Sequence, residues 1–238
     1  MISIHVSAVC RVRDGYTGRE LPASSLLCTL DGFPCRPVGK PGGYLAFTDL
    51  PHGPHRLSLR CRGYQEEWVE LQAGGGTLEL DVSMKPGEDY PFRQAVTRLT
   101  LTVLGKKGPA AGQTVWLASP GPEMKIAQSK VEAGEQALRV YCKGPPFFGP
   151  CLIEDGKNSE IVTLSALEGE QGRLALPLTG GHSRGRPLLP AQRYRAGEDG
   201  VLTAVFRDPC LVQVYVEGRG LAAGSALSEG DNELTVKI

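Results

Sequence analysis

The chain has 238 residues, with 26 Lys plus Arg against 26 Asp plus Glu and a formal net charge of zero at pH 7. That balance creates no field for a polyanion, which argues against nucleic-acid binding and against adsorption to a membrane surface. With 31 glycines and 18 prolines between short alternating apolar runs, the composition favours an all-β chain with frequent turns and room for two or three small domains.

At the N-terminus Ile2, Ile4, Val6, Ala8, Cys10 and Val12 alternate with mostly polar residues and predict a long first strand. No basic stretch precedes a continuous apolar run there, and no run reaches transmembrane length, so cytosolic synthesis without a signal peptide or membrane insertion is expected. Asp14-Gly15-Tyr16-Thr17-Gly18 predicts a turn, and residues 26–30 a short strand ended by Asp31-Gly32. Residues 43–63 then form the pattern that organises the chain. Tyr44 to Phe47 is a strand, Pro51-His52-Gly53-Pro54 a tight turn, and residues 56–63 a half-buried strand with Leu57, Leu59 and Cys61 inward. Residues 68–71 and 78–84 supply further strands, which is β-sandwich density for so short a segment.

The residues that punctuate this first segment are Arg13-Asp14-x-x-Thr17-Gly18-x-x-Leu21, then Gly43-Tyr44-Leu45-Ala46-Phe47-Thr48-Asp49-Leu50-Pro51-x-Gly53-x-His55, then Gly63-Tyr64. This pattern resembles the carboxypeptidase regulatory-like domain over residues 1–86. That family is a transthyretin-like β-sandwich related to the CnaB modules of bacterial surface proteins. The resemblance implies a fold and a binding or spacing role, and no reaction. CnaB-type domains can carry an internal Lys–Asn bond with the Lys on the first strand; residues 2–12 hold no Lys, so no such bond is expected here. Transthyretin-like 5-hydroxyisourate hydrolases end in Tyr-Arg-Gly-Ser, whereas this chain ends Leu234-Thr235-Val236-Lys237-Ile238.

Residues 87–96, rich in Pro and polar side chains, read as a linker. Beyond it the alternation of 56–63 recurs twice, at 137–144 (Leu138, Val140, Cys142, then Gly144) and at 211–218 (Val212, Val214, Val216, then Gly218). Glu79, Glu160 and Glu233 follow at nearly equal offsets. Such an internal repeat predicts two more modules, 97–167 and 168–238, although one larger elaborated sandwich would also accommodate them. Residues 200–206 correspond to Gly43–Phe47 in this scheme, and 173–178 should open the third module. The expected fold class is therefore all-β, with tandem Ig-like or transthyretin-like β-sandwich modules.

Chemistry-bearing motifs are sparse. His52 and His55 have metal-like spacing, but both lie on a turn without adjacent carboxylates or a Cys cluster, and no metal or cofactor is expected. His182 falls in a predicted loop. There is no phosphate-cradling loop, and the chain is not expected to be an enzyme. Seven Cys without a Cys-x-x-Cys pair read as reduced thiols, with Cys10, Cys61 and Cys142 at core positions. Tentative binding residues are Phe147 and Phe148 in the loop at 144–150, and Arg184, Arg186, Arg193 and Arg195 in a Gly-, Pro- and Arg-rich arm at 180–195. The arginines also read as a solvated loop offset by neighbouring acids. Tyr141 and Tyr215 share one outward repeat position. The reading is a structural or interaction protein with protein partners or self-association, such as a part of a phage tail, baseplate or contractile injection particle. The alternative is a carbohydrate- or cell-surface-binding protein that uses its loop aromatics on a glycan.

Overall fold

The computed structural model describes residues 5–74, 76–87, 89–92 and 94–238, and the expected strand positions Ile2 and Ile4 lie outside these. The chain forms two compact units, Met1–Ala95 and Val96–Ile238. Both are built of strands, and the described residues contain no α-helix.

Unit 1 contains β1 (Val6–Asp14), β2 (Leu27–Leu30), β3 (Phe33–Cys35), β4 (Val38–Lys40), β5 (Tyr44–Thr48), β6 (Gly53–Arg60), β7 (Glu67–Ala73) and β8 (Leu78–Met84). They form two four-stranded sheets, in the orders β4-β5-β1-β8 and β3-β2-β6-β7. Period-two alternation sends Ala8, Cys10 and Val12 of β1, Leu45 and Phe47 of β5, and Leu57 and Leu59 of β6 into one shared core. The last strand, β8, returns parallel to the first, with Cys10 opposite Leu80.

Unit 2 contains β9 (Thr97–Gly105), β10 (Gly108–Pro109), β11 (Thr114–Ala118), β12 (Glu123–Ile126), β13 (Lys130–Val131), β14 (Ala137–Lys143), β15 (Gly149–Ile153), β16 (Glu160–Glu168), β17 (Gln171–Leu174), β18 (His182–Ser183), β19 (Leu188–Arg195), β20 (Val201–Phe206), β21 (Leu211–Val216), β22 (Gly220–Ala226) and β23 (Gly230–Lys237). Its sandwich repeats seven strands of unit 1; β4, which edges β5, has no counterpart beside β20. The first strand, β9, has β20 antiparallel on one side and the last strand, β23, parallel on the other, as β1 has β5 and β8. The facing sheet runs β19-β11-β21-β22, the counterpart of β3-β2-β6-β7. Glu79 lies opposite Val9 and Glu233 opposite Thr100, which are matching positions.

The match extends to a strained contact. Val12 N–H donates to the Gly43 carbonyl and Val103 N–H to that of Gly200. Both glycines have positive φ, 70° and 76°, and a Cβ on either would meet the neighbouring first-strand carbonyl at 2.8 and 2.7 Å. Only glycine fits both the dihedral and the approach.

Two expectations are corrected here. A boundary at 167/168 does not exist: β16 runs through it, and strands from both sides share the same sheets. Residues 137–144 are also no copy of the organising hairpin, because β14 pairs with β12 and β17. The topological partner of β6 is β21. Residues 119–187 are instead an insertion. In unit 1 the step from β2 to β3 is the two-residue turn Asp31-Gly32, with φ of 52° and 83°. In unit 2 the equivalent step, from β11 to β19, passes through a whole lobe with its own core of Ile126, Leu138, Val140, Ile153 and Leu164. Pairing of β15 with β19 fuses lobe and sandwich into one nine-stranded sheet.

The expected linker is corrected as well. Tyr90 O–H donates to Asp14 Oδ2 at 2.6 Å, and the Tyr90 ring packs edge-on to Tyr64 at 5.3 Å and beside Phe92 at 4.7 Å. These aromatics tie the segment to unit 1. Asp14 also accepts from the Thr17 hydroxyl at 2.7 Å and from the Tyr16 and Thr17 N–H groups. Burial raises the Asp14 carboxyl, but these donors outweigh it and hold the group below its ordinary value.

Candidate functional site: the inserted lobe

The lobe is what distinguishes the second sandwich from the first, and it carries most of the residues with chemical potential. Alternation along β14 buries Leu138 and Val140 and turns Arg139 and Tyr141 outward. On β12, Met124 and Ile126 go inward, leaving Lys125 directly opposite Tyr141. Lys125 Nζ sits 4.7 Å from the Tyr141 ring centroid and 3.1 Å from Glu123. Arg139 pairs with Glu170. Across from them the chain at 184–186 is pinned by backbone bonds: Gly185 N–H to the Ile126 carbonyl, Ile126 N–H to that of Arg186, and Arg184 N–H to that of Ser129. The result is an open groove of about 520 Å³ lined by Lys125, Arg139, Tyr141, Glu170 and Arg184. Its rim is cationic, and its aromatic wall is half exposed.

The same chain segment is anchored from within by a buried ionic cluster. The His182 side chain is fully enclosed. Its Nδ1 lies 3.0 Å from Asp155 Oδ2 and its Nε2 2.7 Å from Glu160 Oε1. Each contact is a hydrogen bond when that nitrogen carries a proton. Glu160 also accepts from the Thr179 N–H and hydroxyl and from the Gly180 N–H, while Arg186 Nε reaches Asp155 Oδ1 at 2.7 Å. Burial pushes the Glu160 carboxyl up; the donors prevail and hold it below the usual range. The buried carboxylates are thus matched by Arg186, the imidazole and backbone and hydroxyl donors, as burial of charge demands. With the ring enclosed and both nitrogens engaged, the cluster positions the loop at 179–187 and has no face open to a substrate.

The sequence-predicted residues do not converge on one site. Arg184 lines the groove, whereas Arg186 is committed to Asp155. Arg193 and Arg195 lie outward on β19, opposite Trp116 and Thr114, and Arg195 Nε donates to the Gly112 carbonyl at 3.3 Å. The expected arm at 180–195 is therefore half strand, and β19 sits inside a large sheet. Phe147 packs against the lobe core, and Phe148 is 50% exposed. Tyr141 is 40% exposed, while Tyr215 packs with Trp116 and Leu221 against Ala118, Leu152 and Ala191. Of the expected core thiols Cys10 is fully buried, and Cys61 and Cys142 are partly so. His55 is engaged by Asp31 Oδ2 at 2.7 Å and the Pro51 carbonyl at 2.8 Å. His52 lines a separate small pocket with His5. Among the described residues, no group of three or more His, Cys, Asp or Glu is arranged to hold a metal, and no helix is long and apolar enough to cross a membrane. Sequence reasoning missed the Asp155–His182–Glu160 cluster. Glu160 stood out only as a repeat marker, and the signal that pairs it with a residue 22 positions away is tertiary.

No family model matches the chain, and no curated protein does. Similar solved structures include the TIE protein of Bacillus anthracis, at 9% identity and TM-score 0.27, covering 98% of this chain and 33% of that one. A streptococcal ancillary pilin matches at 8% identity and TM-score 0.27, over 98% of this chain and 62% of its own. BcpA, the major pilin subunit of Bacillus cereus, matches at 9% identity and TM-score 0.27, over 99% of both chains. The chain spans about a third of the first and under two thirds of the second. Likenesses at these scores carry no functional argument.

Proposed function

We propose that this chain is a non-enzymatic structural protein that docks to partners through the inserted lobe, as a building block of a larger assembly such as a phage tail, baseplate or contractile injection particle. One observation carries the reading. The two sandwiches share topology and register, and the second differs by a lobe, fused to its sheet, that presents a cationic groove and an exposed aromatic. The duplicated scaffold spaces and supports, and the departure from it is where recognition concentrates. The resemblance of unit 1 to the carboxypeptidase regulatory-like domain fits a spacing role for that unit. The hydrogen-bonded carboxylate of Asp14 and the cluster at His182 serve the same end, because each is engaged by internal donors and fixes a loop.

The test is association in the native host. The tagged full chain is expected to co-sediment with a high-mass assembly, and a chain with residues 120–189 replaced by Asp-Gly is expected to be left behind. A full chain that stays monomeric, free of any particle protein, overturns the proposal. A second reading, glycan or cell-surface binding, is favoured by the exposure of Phe148 and Tyr141 on the lobe. It predicts glycan-array signals that Phe148→Ala abolishes.

A further inference from the structure

The nine-stranded sheet of unit 2 ends on β12 at one side and on β22 at the other, and the two ends differ. At β12 the Gly185 N–H bonds the Ile126 carbonyl, the Ile126 N–H bonds that of Arg186, and Pro187 bridges Lys125. Among the described residues β22 pairs with β21 alone. Just past it, the Leu227 N–H donates to the Cys210 carbonyl. Hydrogen-bonded and non-bonded pairs alternate along an antiparallel ladder, so Ser225, opposite Val212, and Ala223, opposite Val214, turn their backbone groups towards β21. Gly224 and Ala226 turn theirs outward, and both residues are exposed. Such a row of open donors and acceptors templates another strand unless charge, proline or brevity blunts it. The counterpart edge of unit 1, β7, carries Glu67 and Glu70. In unit 2, β23 carries Asp231, Glu233 and Lys237, and at β20 the backbone of Val201 is engaged by Asp199 and Gly197. The seven residues of β22 hold neither a charge nor a proline.

We propose that β22 is a homotypic docking edge, pairing antiparallel with β22 of a second copy of this chain. Gly224 lies on the two-fold axis, and the sheets of the two copies become continuous. Charge at the strand ends selects this occupant. Arg219 and Glu229 are both exposed, and each lies five residues from Gly224. Antiparallel pairing about Gly224 brings Arg219 of either copy level with Glu229 of the other, a match that two-fold symmetry makes twice. Parallel pairing would instead set like charges side by side. The remaining charges at these ends are engaged elsewhere. Glu217 belongs to the β21 side, where its N–H bonds the Thr114 carbonyl, and Asp231 pairs with Arg98. The zero net charge of the chain leaves no general repulsion between copies. The contact uses no residue of the lobe and is separate from docking through it.

Sedimentation of the purified full chain over a concentration series tests this, with hydrogen exchange as a second readout. A monomer–dimer equilibrium is expected, with exchange at the Gly224 and Ala226 amides slowed about tenfold or more in the concentrated sample. Ala226→Pro removes an outward N–H and nothing from the β21 ladder, and should weaken the dimer about tenfold or more. Arg219→Glu and Glu229→Arg should each weaken it, and the double variant Arg219→Glu/Glu229→Arg should restore it, a rescue that misfolding does not imitate. A chain that is monomeric throughout overturns the proposal. So does a dimer whose β22 amides exchange as fast as the monomer's, and so does one that the single charge variants leave unchanged or the double variant fails to restore. Because no host protein is present, failure here is distinct from failure of docking through the lobe.

Discussion

Replacing His182 by Asn is the sharpest perturbation of the lobe. The substitution removes the imidazole that bridges two carboxylates, themselves 10% and 8% exposed, and the shorter amide cannot engage both. Asp155 keeps Arg186, and Glu160 keeps the donors from Thr179 and Gly180. A hydrogen bond to a charged group contributes about 1.5–3 kcal/mol, and breaking a buried ion pair by removing one partner costs about 3–5 kcal/mol. Unit 2 should therefore lose about 3–5 kcal/mol, a large share of the roughly 5–15 kcal/mol that holds an ordinary domain. Urea unfolding reads this without screening the charges. Trp116 is the only tryptophan of unit 2 and Trp68 the only one of unit 1, so a Trp68→Phe background reports unit 2 alone. In that background the double variant His182→Asn/Glu160→Gln should recover part of the loss, since it removes the stranded charge. A loss under about 1 kcal/mol, or strict additivity of the two changes, would refute the clamp as described.

The carboxyls of Asp14 and Glu160 sit below their ordinary values of 3.8 and 4.5 in the fold. Their stabilisation is complete above those values and is lost as pH falls through the folded ones. Glu160→Gln should flatten the acid-side loss of urea stability in unit 2, and Asp14→Asn that in unit 1. Asp31 and the Pro51 carbonyl raise the His55 imidazole above 6.5, so its contribution is full below 6.5 and disappears as pH rises through the folded value. An NMR titration placing His55 at or below 6.5 would contradict the two contacts. Tyr90→Phe removes one donor from Asp14 and should cost unit 1 about 1.5–3 kcal/mol, measured by urea unfolding followed at Trp68. Replacing 120–189 by Asp-Gly, as in the β2–β3 turn, should leave a folded sandwich with β9 and β23 amides still protected from hydrogen exchange. Global loss of protection would mean that the lobe is integral to the sandwich and no insertion.

Much of the fold was legible because alternation is a local signal. The strands of unit 1 are read from Leu57, Leu59 and their neighbours without any partner in view, and the correspondence of residues 200–206 with Gly43–Phe47 is confirmed by Gly43 and Gly200 performing the same contact. The error at 167/168 has the same origin. Leu138-Val140-Cys142 alternates as Leu57-Leu59-Cys61 does, but alternation states which face is buried and says nothing about which strand lies alongside. Only pairing reveals that β14 belongs to an insertion and β21 to the repeat. The linker was misjudged because Tyr90 and Phe92, separated by a proline, show no period, although their partners Tyr16, Tyr64 and Asp14 were all in plain view. The His182 cluster was invisible for a similar reason: its members come from three loop and strand ends, joined by tertiary structure alone.

Cross-linking mass spectrometry on the full chain in its native host tests the central claim most directly. Lysines are available in the lobe at 125, 130, 143 and 157, and in the two sandwiches at 40, 106, 107 and 237, whereas Lys85 is mostly buried and paired with Glu67. If the lobe is the docking element, intermolecular cross-links concentrate at Lys125, Lys130, Lys143 and Lys157. Cross-links confined to the sandwich lysines, with the lobe untouched, would contradict the account.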